Sequence, residues 1–266
     1  MLSDQSRQVT RLALGLAAML LLLIASSPKP NKEVPLVQPS FDYMPPVVDQ
    51  AKKDISLIFM QPKFDKDFLK YYRGTQPYKS FIENMGTDFV EMLVARGYSY
   101  IGPIEQYDEL VFSQKENAHM VLEVEMGWEM SGLDNALKYT DSYNPLTKST
   151  VRRYFYDGEG AISGRLNMWL SEPFTGEKVW VKAINIPGTP MTIRTERKYD
   201  RSNVSYRGDQ VVLPESDPLF WNTLIPHLED IYGKILKTAW NHLDPVELAN
   251  KKADAKKIKD NSTFKR

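Results

Sequence analysis

The amino-acid sequence predicts an α+β domain: a mixed, mostly antiparallel sheet with helices packed on one face. Three observations point there. Several segments alternate apolar and polar residues with a period of two. Two longer segments carry apolar stripes with a period near 3.6. Their order along the chain is strand, helix, several strands, helix.

The chain starts with an address. Arg7 and Arg11 precede an uncharged apolar run from Leu12 to Ala25, LALGLAAMLLLLIA. A positive segment followed by such a run is the pattern of an export signal. The run is short of the ~20 residues that a membrane-spanning helix needs. Leu23-Ile24-Ala25-Ser26 has the form of a lipobox with Ser26 where the lipid-accepting Cys would stand. Ordinary small-residue cleavage fits poorly, because Pro28 would follow the cut. Two readings stay open: a Cys→Ser change at position 26, or an apolar segment that remains as a membrane anchor. Residues 1–26 are therefore expected to be signal peptide or anchor. Pro28, Pro30, Pro35, Pro39, Pro45 and Pro46 then mark residues 27–53 as an extended linker.

The domain is expected over residues 54–245. Ile55–Met60 is a short apolar run ended by Pro62 and reads as a buried strand. Residues 77–96 read as a helix, with Pro77 at its first position and Phe81, Ile82, Met85, Phe89 and Leu93 as its stripe. Gly97 is the stop signal, and Tyr98–Ile101 follows as a strand. His119–Met126 places Met120, Leu122, Val124 and Met126 on one face and Glu123 and Glu125 on the other. Ile162, Gly164, Leu166, Met168 and Leu170 alternate in the same way. Pro173–Gly176 turns the chain, and Val179–Ile186 returns as the second arm of a hairpin. On these arms Trp169 and Trp180 are expected to form a cross-strand pair. Residues 127–160 and 187–217 read as long polar stretches: loops, or extensions of the hairpins. A long helix is expected over 218–243, with Leu224, Leu228, Ile231, Ile235, Ala239 and Leu243 as its stripe. Residues 246–266 form a basic tail, with a shorter helix over 246–258.

Composition narrows the function. Lys+Arg and Asp+Glu both number 34, so the formal net charge is zero and a nucleic-acid partner is disfavoured. With no cysteine, disulfides, thiolate metal sites and a Cys nucleophile are excluded. The three histidines, His119, His227 and His242, do not have zinc-site spacing. No phosphate loop, nucleophile elbow or metal-binding helix pair occurs, so neither enzyme activity nor a cofactor is expected. Glu123 and Glu125 read as the solvated outer face of a strand.

Two clusters are candidates for binding. Arg194, Arg197, Lys198, Tyr199, Arg201, Tyr206 and Arg207 place basic forks among aromatic rings, suited to an acidic glycan or an acidic protein patch. Glu196, Asp200 and Asp209 dilute the cluster, as in a solvated hairpin. The tail 251–266 holds seven Lys/Arg against Asp254 and Asp260, suited to anionic lipid or polysaccharide and equally to a solvated terminus.

The chain resembles the neuraminyllactose-binding haemagglutinin family. Ser26-Ser27-Pro28 is similar to that family's Cys-Ser-Pro start. The likeness continues through Ile55–Phe64 (ISLIFMQPKF), Arg96-Gly97-Tyr98, Val121–Met126, Glu172-Pro173, Thr175-Gly176-Glu177 and the Lys-rich end. The resemblance implies a surface or flagellar-sheath lipoprotein of a Gram-negative envelope. Two departures stand out: Ser26 replaces the lipidated Cys, and the family's Lys-Arg-Thr-type sialic-acid motif has no clean match, Lys148, Arg152 and Arg153 being the nearest basic cluster. More loosely, the strand-helix-strand order and Thr175–Trp180 are similar to periplasmic assembly-factor domains. They imply an alternative role docking on an envelope machine such as the flagellar motor.

Overall fold

The computed structural model describes residues 35, 37–47, 51–66, 76–195, 199–200, 205–207, 210–212 and 218–263. The expected signal or anchor, with Ser26, lies outside the described residues. The described residues from Val37 to Thr263 belong to one compact unit.

The sheet is built around β1 (Ser56–Met60), whose four inner residues are buried because it lies between two parallel neighbours. One neighbour is β3 (Ser99–Ile104), and the other is β4 (Met120–Ser131). The short β2 (Lys63–Phe64) extends the parallel set along β4. From β4 onward the sheet is antiparallel. β6 (Ser149–Ser171) pairs through its second half with β4 on one side and β7 (Lys178–Arg194) on the other. Its first half pairs with β5 (Leu137–Asn144) and touches β8 (Tyr199–Asp200). The small ribbon of β9 (Ser205–Arg207) and β10 (Gln210–Val212) forms a separate two-stranded sheet.

Two helices cover one face. α1 (Tyr78–Ala95) crosses between β1 and β3, and α4 (Pro218–His242) packs beside it. The short helices α2 (Phe112–Asn117) and α3 (Leu133–Ala136) flank β4, and α5 (Pro245–Thr263) closes the chain. Most of the expected stripes are buried: Phe81, Met85, Phe89 and Leu93 on α1, with Ile82 half-buried beside them, and Leu224, Leu228, Ile231, Ile235 and Ala239 on α4, with Leu243 buried just past its end. Met120, Leu122, Val124 and Met126 of β4 meet them from the sheet. Rings interlock across the layers: Phe59 stacks on Phe89 at 5.8 Å, and Phe81 meets Trp128 edge-on at 5.2 Å. Gly97, at φ +78, ends α1, with its N–H on Val94 and that of Tyr98 on Leu93. On the other face, Leu110 and Ala118 cover Ile58 and Val121.

Several expectations change. Residues 127–160 take the second of their two expected forms, an extension of the strands: β4 runs on to Ser131, and β5 with the first half of β6 makes a two-stranded arm. β7 likewise runs to Arg194, through residues of the second polar stretch. The β5–β6 arm is solvated along 139–153, so apolar alternation fades there although the ladder continues, whereas β7 still turns Met191 and Ile193 into the core. His119 lies just before its strand. Trp169 and Trp180 do not pair; Trp169 sits opposite Val181 and Trp180 opposite Leu170, so the two rings take opposite faces of the sheet.

The Pro-rich stretch is anchored where it is described. Phe41 is buried against Phe81 and Tyr232, and Asn84 donates to the Phe41 carbonyl at 2.9 Å. Val37 and Ser40 donate backbone N–H groups to Asn222 and Glu229 of α4. Residues 37–43 thus form a strap across α1 and α4.

Candidate binding cleft

A cleft of about 420 Å³ opens at one end of the sheet, where parallel β1 and β4 begin and β6 ends. Such a volume lies in the small-ligand range. One wall is α5, which contributes Lys252, Lys256 and Lys259; this i, i+4, i+7 spacing puts all three on one helix face. Glu116 to His119, where α2 passes into β4, form the opposite wall, and Glu172 also lines the cleft.

α5 is polar over most of its length, and specific ties hold it in place. Asp244 caps it, its Oδ1 accepting the N–H groups of Val246 and Glu247 at 2.9 Å each. Leu248 and Ala255 are buried. Glu247 accepts from Trp180 Nε1 at 2.8 Å and pairs with Lys182 at 2.9 Å. Burial raises the Glu247 pKa, but these partners together outweigh it, and the net shift is downward. Lys252 reaches Asp54 at the start of β1 at 2.7 Å, and Lys259 donates to the Glu116 carbonyl at 3.2 Å.

His119 accepts the Ser56 N–H on Nδ1 at 2.8 Å, so in the neutral ring the proton sits on Nε2. Burial, reinforced by Lys252 and Lys259 and opposed by Asp54, holds its pKa below the ordinary value. The ring also borders a shallower hollow formed by residues 52–56 and Ser99.

Glu172 is the unusual group. It is 1% exposed, and its Oε2 accepts from the N–H groups of Phe174 and Thr175 at 2.9 and 2.7 Å. Its Oε1 has no hydrogen-bond partner among the described residues. A buried carboxylate oxygen left unpaired is costly. The turn that carries it is tightly closed by Gly176 N–H on the Glu172 carbonyl and Glu172 N–H on the Glu177 carbonyl, both 2.9 Å.

The cluster predicted from sequence is only partly described. Arg194 ends β7 and its Nε lies 3.2 Å from Asp157 Oδ1. Asp157 also pairs with Lys138 at 3.1 Å, and chiefly Lys138, then Arg194, hold its pKa low. Arg197, Lys198 and Arg201 lie outside the described residues. Tyr199, Tyr206 and Arg207 are placed by backbone only, in β8 and β9. Of the other basic cluster, Lys148 turns the β5–β6 hairpin at φ 49, while Arg152 is held on Asp141 at 2.9 Å and over the Tyr139 ring. Glu123 accepts from Trp169 Nε1 at 2.8 Å on the outer sheet face. Residues 116–119, 172 and 252–260 share no motif; the basic tail was the one hint of this cleft in the sequence.

No protein-family model matches the chain, and no curated protein matches it. Solved structures do. One described as a neuraminyllactose-binding hemagglutinin homolog from Helicobacter pylori aligns at a TM-score of 0.55 and 16% identity, covering 83% of this chain and 100% of that one. At that identity the likeness is one of fold. A lipoprotein from Neisseria meningitidis aligns at a TM-score of 0.26 and 11% identity over 54% of this chain and 85% of that one. A DUF330 protein from Xanthomonas campestris aligns at 0.29 and 9% over 77% and 95%.

Proposed function

We propose that this chain is a non-enzymatic component of a bacterial cell envelope, tethered to a membrane through its N-terminal segment. In this reading it is a surface or flagellar-sheath protein that acts by binding or coating. The observation that carries it is the fold likeness to the hemagglutinin homolog over 83% of this chain, joined to an apolar, positively flanked N-terminal segment. The lysine wall of the cleft supplies point charges for an acidic ligand such as an acidic glycan. The segment Arg194–Arg207 is a second place for such a ligand. Ser26 at the lipobox position removes the lipid-accepting thiol, leaving the apolar run as the tether. Ser26→Cys is expected to permit fatty-acid labelling and to move the protein toward the outer membrane; no change in either contradicts the lipobox reading.

A second reading is a periplasmic assembly or regulatory factor docking on an envelope machine such as the flagellar motor. The β5–β6 arm favours it: Tyr139, Tyr143 and Leu146 are exposed there, which suits a protein partner. Crosslinking in live cells separates the two. Host or surface glycoconjugates among the captured partners support the first reading, and defined motor or synthase subunits support the second.

A further inference from the structure

The cleft has more chemistry than an anion site requires. Its ionisable lining is balanced, with Lys252, Lys256 and Lys259 set against Glu116, Glu172 and Asp260. The charges are also sorted by wall. All three cations stand on α5, together with Asp260, whereas Glu116 and Glu172 belong to the α2 end and to the turn after β6. Among the described residues no arginine lines the cleft, so they offer no planar fork to grip a carboxylate bidentately. Lysines act as point charges and suit the compact charge of a phosphate. Lys256 has no partner among the described residues. On the carboxylate side, Glu172 Oε1 is buried and lacks a donor. A ligand that brings only negative charge leaves that oxygen unsatisfied and places a second anion near it.

We infer that the cleft takes a zwitterion carrying a phosphate and a primary ammonium group, the phosphate set against the α5 lysines and the ammonium against Glu172. This inference rests on the reading of the cleft as a binding site. An amino-sugar phosphate and an aminoalkyl phosphate headgroup share this chemistry. His119, with Nε2–H as donor, also lines the cleft.

The test titrates the full-length chain in detergent with soluble probes and reads binding by calorimetry. Glucosamine 6-phosphate is compared with glucose 6-phosphate, and glycerophosphoethanolamine with glycerophosphocholine, whose quaternary ammonium has no N–H to donate. In at least one pair the primary amine is expected to bind tighter by about tenfold, as a hydrogen bond to a charged group implies. The responding pair identifies the source, sugar or headgroup. Lys256→Gln, at an exposed position that leaves the fold intact, weakens every phosphate probe. Glu172→Gln retains the cap on the turn, and circular dichroism checks its fold. It is expected to bring the amine preference to near one by weakening the amine partner, while the non-amine partner binds no more weakly than before, because the repulsion of its phosphate by the carboxylate is removed. Equal binding of amine and non-amine partners overturns the zwitterion and leaves a plain anion site. No binding of any probe overturns both the inference and the cleft's role, without touching the envelope assignment.

Discussion

Tyr232 of α4 donates its hydroxyl to Asp88 Oδ2 of α1 at 2.6 Å, at a position where both residues are buried. This bond joins the two helices that cover the sheet, directly beneath the strap at Phe41. Tyr232→Phe removes the donor and leaves a buried carboxylate short of a partner. The expected loss is about 1–3 kcal/mol of stability, read from chemical denaturation.

The same pair sets a pH dependence. Burial pushes the Asp88 pKa up to about 6, against the lowering effect of Tyr232; Asp42 and Glu91 raise it further, and the Tyr43 backbone N–H opposes them. A carboxyl raised in the folded state binds its proton more tightly there than in the unfolded chain. Asp88 therefore makes the fold gain stability as pH falls from about 7 toward the ordinary carboxyl range. Asp88→Asn keeps an acceptor for Tyr232 and removes the titration, so the difference in Tm between variant and parent should narrow as pH drops from 7 to 5. A difference that is constant over this range contradicts the assignment.

The strap predicts a stability cost far from the sheet. Phe41 is 4% exposed, with ring contacts at 5.1 and 5.3 Å to Phe81 and Tyr232. Phe41→Ala should cost about 3–5 kcal/mol. Pro45→Ala, in the same stretch near its exposed end, should cost much less. Equal and small losses from both would mean that the strap is a plain spacer.

The β5–β6 arm predicts the reverse. None of residues 139–153 is buried, whereas Ala136 and Tyr156 at its base are. Replacing 139–153 with a short glycine-containing turn should leave Tm within a few degrees of the parent. A large loss would place the arm in the folding core.

The helices and central strands were legible because burial repeats at fixed periods along them. Met120 to Met126 and Leu224 to Ala239 each show one face to the core, and the sequence carries that face directly. The β5–β6 arm was not legible, because Tyr139–Arg152 is solvated and a ladder without a buried face has no apolar code; the end of β7 shows only Met191 and Ile193 to the core, too short a repeat to mark a strand among Pro187, Gly188 and Pro190. The strap was hidden for another reason: prolines do signal an extended chain, but a single anchor such as Phe41 has no periodicity. The cleft joins Glu116, Glu172 and Lys256, residues whose proximity follows from sheet topology and the docking of α5. Neither spacing nor composition records that.

The proposed tether in the envelope places this chain outside the cytoplasm. Fractionation of cells expressing the full-length chain, with protease added to intact cells and to cells whose outer membrane has been opened, tests it most directly. The protein is expected in the membrane fraction, cut in intact cells if it is a surface component and only after opening if it faces the periplasm. Recovery of the chain in the cytosolic fraction, protected from protease under both conditions, would contradict it.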